Sequence, residues 1–551
     1  GLPIHSLPTT LMPKPGDNRP LTSHPSQPIS IVSSTLLGMG VFVWLFISQP
    51  WYGYAIDEAS YIWVAREERA WFVELADRPL PESFSAEALA RRWHFLEKPI
   101  GNQTTHSNFN LPLSMHLMNL TWLLTGGQCE ERLSARLASM LLFSLLVAVT
   151  LRVIGHAFGP WAGWGSTLFL IFSPRIVGHA HLAGTETTLS TLWWLTTLAL
   201  LHAARTDAKG NNTWMIPLLL SLTMATKLTG WFLAPVIAIG LVMLRPRGWF
   251  RSLLLSILLP IPVIVLLTPT LWHDPLGGLF RYIDATLENP WVIPSYFAGE
   301  VTPERLPGWT GLLFFAVTSP IATLLLGALT TFSFFRSYRL GLLIFSSSAL
   351  LGARVAGLLP THDVERHFEP SLYGLAILAG IGASQVVLFL SRQNAVRTFM
   401  VALMLIEPCI DSFIYRAHGL CYYNRIVGGV AGARDWGFEV SYWLETMTDA
   451  DWHAMLDDLP PETTLFMRPD HPGAEDLRRW GVWRSDLKSV GPQGDVYLLY
   501  AKRAAYFVPD PNTGKWLPTD LGLQAEQGPV EKEITFEGIR LMGRHRRAMP
   551  P

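Results

Sequence analysis

Asp57 and Glu58 stand side by side where the first long apolar segment, residues 29–50, gives way to Tyr54-Ala55-Ile56-Asp57-Glu58-Ala59-Ser60-Tyr61. A carboxylate at the point where a chain leaves a bilayer can act as a general base within reach of a lipid-borne substrate. The same pair has a plainer use: at the start of a surface helix it would satisfy the free N–H groups of the first turn. What else the chain brings to that side of the membrane decides between the two.

The elements that must position the pair are membrane spans. Of the 551 residues, 49% are hydrophobic, 12% aromatic and only 15% charged. The apolar residues come in blocks close to the ~20 that cross a bilayer. They predict an all-α polytopic membrane protein with about eleven spans, near 30–50, 134–156, 160–174, 187–204, 213–226, 229–245, 251–268, 309–335, 340–358, 371–390 and 397–415. Every second connection is rich in Arg and Lys: Arg205 and Lys209, then Arg245, Arg247 and Arg251, then Arg336 and Arg339, then Arg392 and Arg397. That bias marks the cytoplasmic side. The opposite side receives the long loop 51–133, the stretch 174–187, the turn around Lys227, the loop 269–308, the segment 359–370 and everything after 416. Polar residues gathered at one surface argue against a transporter, which places ionisable groups near the midplane and often repeats its halves. A net charge of −1, with no basic stretch interleaved with aromatics, excludes nucleic acid as a partner. Cys129, Cys409 and Cys421 have neither metal-ligand spacing nor the number for a disulfide framework, although Cys129 and Cys421 could pair outside the membrane.

Residues 1–29, rich in Pro, Ser and Thr and without a signal-peptide pattern, are expected to form a disordered cytoplasmic tail. The body of the protein is expected over 30–416. Within its first outer loop, Tyr61, Val64, Ala65, Phe72 and Leu75, and again Phe84, Ala88, Leu89, Trp93 and Leu96, follow helical spacing. Charged residues fall between them, as in helices that lie in the membrane interface, though packing against a soluble domain would give the same pattern. After residue 416 the composition turns water-soluble, with Pro-rich turns and strand-like runs such as Asp495 to Ala501. Residues 417–551 are therefore expected to form a small α+β extracytoplasmic domain.

Several segments on the outer side act together as a signature. They are the Asp57-Glu58 pair, Ser173-Pro174-Arg175-Ile176-Val177-Gly178-His179-Ala180-His181-Leu182-Ala183-Gly184-Thr185-Glu186, Thr226-Lys227-Leu228-Thr229-Gly230, Leu271-Trp272-His273-Asp274-Pro275, and His362-Asp363-Val364-Glu365-Arg366-His367-Phe368. Tyr422-Tyr423-Asn424 follows, with Gly428-Gly429, Gly432-Ala433, Gly437, Glu439 and Tyr442-Trp443. In order and placement they resemble the GT-C glycosyltransferases of the protein O-mannosyltransferase and aminoarabinose transferase type, over roughly residues 35 to 445. Members of that family are multi-spanning enzymes that take a sugar from a polyprenyl phosphate on the outer face.

The resemblance implies a GT-C fold and a set of roles. Asp57 matches the family's proposed catalytic base, with Glu58 beside it. The growing charge of a leaving phosphate calls for cations, and Arg175, Lys227 and Arg366 are on the correct side. As span-end residues, Arg175 and Lys227 could equally reach only for headgroups, and Trp272 and Trp443 could be interface anchors. Glu186, His179, His181 and Asp363 would complete the donor site. No cofactor follows directly from the residues; a divalent cation is the one that Glu58, Glu186, His179 and His181 could hold, and these side chains could instead orient the cations and the sugar hydroxyls. Glu97-Lys98-Pro99 is a further place for a phosphate contact. Expected partners are a polyprenyl-phosphate sugar, membrane lipid, a protein, lipid or glycan acceptor, and other membrane proteins in a complex. The expected location is a bacterial inner membrane with the site outside. Two departures bear on activity. Glu186 stands where the family usually has aspartate, one methylene longer, and His106-Ser107-Asn108-Phe109-Asn110-Leu111-Pro112-Leu113 replaces the family's His-Pro-Pro-Leu. A non-catalytic scaffold subunit that binds partners through its outer domain is the alternative.

Overall fold

A computed structural model describes residues 29–77, 79–93, 110–205, 212–288, 295–302, 305–333, 337–359, 366–441, 447–468, 474–510, 516–527 and 529–546. Residues 1–28, Glu97-Lys98-Pro99, His106 to Phe109, His362 to Glu365 and Tyr442-Trp443, for which the sequence carries expectations, lie outside them.

Helices α1 (Ile31–Ser48), α2 (Ile56–Asp77), α3 (Leu80–Ser83), α4 (Ala86–Trp93) and α5 (Leu113–Leu124) are followed by α6 (Glu131–Phe158), α7 (Pro160–Ile171), α8 (Pro174–Ala180) and α9 (Thr185–Ala203). Next come α10 (Met215–Met224), α11 (Leu233–Leu244), α12 (Trp249–Leu258), α13 (Pro260–Leu267) and α14 (Pro275–Glu288), and a hairpin of β1 (Ser295–Phe297) and β2 (Glu300–Thr302). The helical body closes with α15 (Thr310–Val317), α16 (Ile321–Thr331), α17 (Tyr338–Val355), α18 (Glu369–Leu390) and α19 (Asn394–Ile414).

Among the described residues three helical stretches are long and apolar enough to cross a membrane: Ile31–Trp51, Glu131–Phe158 and Arg366–Leu390. A fourth is counted if α12 and α13, bent by 41°, form one span. Fewer uninterrupted spans appear than the apolar blocks predict, and proline is one reason. Pro260 opens α13 at the bend, and Pro320 stands in extended conformation between α15 and α16, dividing the block 309–335.

Helices α7 and α18 cross through small residues. A Cβ on Gly165 would come 2.9 Å from the Gly380 carbonyl, and Ser166 Oγ donates to Ile377 O at 2.7 Å. Trp194 Nε1 on α9 donates to Pro370 O at 2.8 Å and Trp193 Nε1 to Ser346 O at 3.2 Å, so the indoles satisfy their polar edges between helices. Asn424 closes the break between α15 and α16. Its amide nitrogen donates to Ala316 O and Ser319 O at 2.7 and 2.8 Å, taking up carbonyls that a helix end leaves free.

The C-terminal region carries β3 (Thr464–Arg468), β4 (Lys488–Ser489), β5 (Val496–Tyr500), β6 (Phe507–Pro509), β7 (Trp516–Pro518), β8 (Lys532–Phe536) and β9 (Ile539–Arg546). Five of these strands form one mixed sheet in the order β4-β3-β5-β9-β8, parallel around β3 and antiparallel around β9. Glu537 and Gly538, both at positive φ, make the tight turn of the β8–β9 hairpin. The sheet domain packs on the start of α2. Tyr54 and Ala59 share an apolar core with Trp452, Trp483 and Leu498. Around that core Arg66 pairs with Asp476 at 2.9 Å, and Arg132, from the first turn of α6, holds Asp449 at 2.6 Å.

Candidate functional site

Asp57 and Glu58 both lie in the first turn of α2, but successive helical residues point about 100° apart. The two carboxylates therefore meet different surroundings. Glu58 is fully buried, and so is its partner Arg136 on α6. Arg136 donates Nε and Nη2 to the two carboxylate oxygens at 2.7 and 2.8 Å, and also Nη2 to Gly53 O at 2.7 Å. The backbone N–H of Ala183 donates to Glu58 Oε1 at 2.9 Å. Glu58 thus ties the start of α2 to α6 and to the turn before α9.

Asp57 is 33% exposed at its side chain and accepts from Arg366 Nη1. Arg366 begins the turn that leads into α18, and its Nε lies 3.5 Å from Glu186 Oε1. Glu186, in the first turn of α9 and 2% exposed, also receives Lys227 Nζ at 3.1 Å. Four side chains from four parts of the chain thereby join in one chain of charge, Asp57–Arg366–Glu186–Lys227. The two carboxylates and two cations balance.

Tyr61 lies one turn after Asp57 on the same face of α2, close enough to feel the charges of Glu186, Asp57 and Arg366. Burial, followed by the neighbouring Glu186 and Asp57 charges, raises its hydroxyl well above its ordinary pKa. Asn110 Nδ2 donates to that hydroxyl at 3.4 Å. Asn110 belongs to the stretch that departs from the family pattern, which thus reaches the rim of the charged cluster.

Three turns from Asp57 on the same face, buried Glu68 lies 3.3 Å from His116 Nδ1, while His116 Nε2 donates to Leu267 O at 2.8 Å. This contact couples α2 to α5 and to the end of α13. Burial raises the Glu68 pKa against the opposing effect of His116. Burial pulls His116 down, but Glu68 and the Leu267 carbonyl outweigh it and the net shift is upward.

The remaining site candidates fall in several places. Arg175, buried on α8, donates Nε to Tyr422 O at 3.0 Å and lies over the Tyr423 ring. His179, also buried on α8, is near enough to act electrostatically on Glu186. His181 turns back toward α1: Nδ1 meets Val177 O at 2.7 Å, Nε2 meets Ser48 Oγ at 2.8 Å, and the ring stacks on Tyr52 at 3.8 Å. Burial lowers its pKa to about 3, so the ring is neutral. Asp363 lies outside the described residues. Glu58, Glu186, His179 and His181 do not fit a metal ion: Glu58 is engaged by Arg136, His181 by Val177 and Ser48, and Glu186 by two cations. Among the described residues no three His, Cys, Asp or Glu side chains group as a metal requires.

Sequence reading missed Arg136, Tyr61, Asn110 and the Glu68–His116 pair. The spacing of Asp57, Tyr61 and Glu68 by 4 and 7 residues was the available signal for one helix face.

The chain is similar in structure to ArnT from Cupriavidus metallidurans in its apo state, with TM-score 0.50 and 14% identity over 93% of this chain and 97% of that one. ArnT from the same organism bound to undecaprenyl phosphate gives 0.48 and 15% over the same shares. Oligosaccharyltransferase AglB from Archaeoglobus fulgidus, in complex with an inhibitory peptide and a dolichol-phosphate, gives 0.46 and 11% over 93% of this chain and 76% of that one. No protein-family model and no curated protein matches. The fold is the GT-C fold that the motifs resemble.

Proposed function

We propose that the protein is an inverting membrane glycosyltransferase that moves a monosaccharide from a polyprenyl phosphate to a hydroxyl of a protein, lipid or glycan. The reaction takes place on the extracytoplasmic face, in a bacterial inner membrane. The observation that carries this reading is the Asp57–Arg366–Glu186–Lys227 chain, in which a part-exposed carboxylate shares a guanidinium with a buried one. Asp57 removes the proton of the acceptor hydroxyl as its oxygen bonds to the anomeric carbon. The bond from that carbon to the phosphate oxygen breaks, and the phosphate leaves with the electron pair. Arg366 and Lys227 stabilise its charge. Turning Arg366 from Asp57 toward the phosphate frees the base only when a donor is bound. Glu186 keeps both cations in place, and Tyr61 with Asn110 borders the acceptor side.

The test uses purified protein in lipid vesicles with a set of undecaprenyl-phosphate sugars, comparing release of free undecaprenyl phosphate by the parent and by Asp57→Asn. Release that vanishes in a folded Asp57→Asn supports the transferase. Release that persists in that variant rejects Asp57 as the base. One observation favours the scaffold reading: the Asp57 carboxylate is already engaged by Arg366 in an ion pair. Folded parent protein that releases nothing with any donor and acceptor supplied would favour the scaffold.

A further inference from the structure

Arg354 lies in the last turn of α17, at the end facing the site, where an arginine ordinarily extends to the headgroups. Here it is folded inward and 1% exposed. Its Nη2 donates to Thr310 Oγ1 at 3.0 Å, and that hydroxyl in turn donates to Pro307 O at 2.8 Å. Nη1 meets no acceptor, and no carboxylate among the described residues pairs with the guanidinium. Gly311 makes the room: a Cβ there would come 2.6 Å from Arg354 Cγ. At the same corner a Cβ on Gly308 would overlap the Val355 carbonyl, so α15 and α17 meet in close contact around the side chain. A second guanidinium, that of exposed Arg305, donates to Gly357 O at 3.3 Å in the turn just after Arg354. The end of α17 also packs against the turn that begins with Arg366.

A buried guanidinium with no counter-anion among the described residues is costly, and a fold that builds a glycine-lined seat for one gains by supplying an anion from outside the chain. For a protein held in a bilayer, lipid phosphates are the anions on offer from outside the chain. We infer that Arg354, oriented by Thr310 and seconded by Arg305, forms a seat for the phosphate of a membrane lipid between the ends of α15 and α17. The seat is separate from the Asp57–Arg366–Glu186–Lys227 chain. Its ligand is a phosphate ester oxygen, whether of a polyprenyl phosphate or of a bilayer phospholipid. Binding requires the turn carrying Arg305 and Gly357 to yield, because Nη1 is covered.

The test uses the full chain, delipidated in maltoside micelles with no sugar donor, and counts lipids bound by native mass spectrometry. Undecaprenyl phosphate, phosphatidylglycerol and undecaprenol are titrated separately. The seat predicts that Arg354→Met binds one phosphate lipid fewer than the parent, or binds it at least tenfold more weakly, the loss of one charge-assisted hydrogen bond. Undecaprenol binds neither form at that stoichiometry. Preference for undecaprenyl phosphate names the carrier as the ligand; equal binding of phosphatidylglycerol names the bilayer lipid. Should Arg354→Met fail to fold, Thr310→Val and Thr310→Ser replace it, the first weakening the site and the second retaining it. Unchanged stoichiometry and affinity in folded Arg354→Met, or in Thr310→Val, overturns the seat. Because no transfer is measured, that result leaves the glycosyltransferase reading standing.

Discussion

Adjacent acids in opposite surroundings make a sharp prediction. Glu58→Gln keeps the size of the side chain and removes its charge, leaving the fully buried Arg136 guanidinium without its counter-charge. Removing one partner of such a pair costs about 3–5 kcal/mol. Gln keeps one oxygen to accept from Arg136 or Ala183, so the lower end, about 3 kcal/mol, is expected. Asp57→Asn removes a charge from a pair that is partly in water, and less than about 1 kcal/mol should follow. Its effect on transfer should instead be a loss of about a hundredfold or more, the usual contribution of a general base. The assay is thermal unfolding and turnover measured on the same micellar samples. Glu58→Gln should unfold at clearly lower temperature, and Glu58→Gln with Arg136→Met should recover much of the loss, because no unpaired charge remains. The reasoning fails if Glu58→Gln is as stable as the parent, or if the double variant is no better than the single ones.

Lys227→Met takes from buried Glu186 its hydrogen-bonded cation, so turnover should fall about tenfold or more in the release assay and the unfolding temperature should fall with it. Gly380→Ala places a Cβ against the backbone of Ser166, and the α7–α18 crossing should lose about 1–3 kcal/mol or more, seen as a lower unfolding midpoint. The folded pKa of His116 lies above its ordinary value of 6.5, so the stability it contributes is complete below that value and fades as pH rises through the shifted one. The gap in unfolding midpoint between the parent and His116→Gln should therefore shrink from pH 6 to pH 9; a gap that widens contradicts the ion pair with Glu68.

The apolar blocks and the side bias of Arg and Lys were legible in the sequence because bilayer chemistry leaves few solutions. So was the shared side of Asp57, Glu186, Lys227 and Arg366, although the contact between Asp57 and Arg366 spans 309 positions. The different partners of Asp57 and Glu58 were not legible, since they depend on the rotation of α2 against α6. Arg136 sits in an apolar stretch where nothing in the sequence marks its partner. His181 looked like His179 because both fall in one short motif; the turn at the end of α8 sends His181 to Ser48 on the far side. Pro260 and Pro320 sit inside blocks that hydropathy alone reads as continuous, so fewer of the described helices run long and unbroken than the blocks suggest.

Tyr54 and Ala59, on either side of the acidic pair, are enclosed by Trp452 and Trp483 from the far end of the chain, and Arg66 reaches an aspartate 410 positions later. A ribosome delivers the first helices long before those residues exist. During synthesis the apolar side of the start of α2 stays uncovered until the last hundred or so residues have been made and folded over it. A chain cut short before the sheet therefore leaves the start of α2 without its cover, and folding of the final residues is the step that completes the surroundings of Asp57.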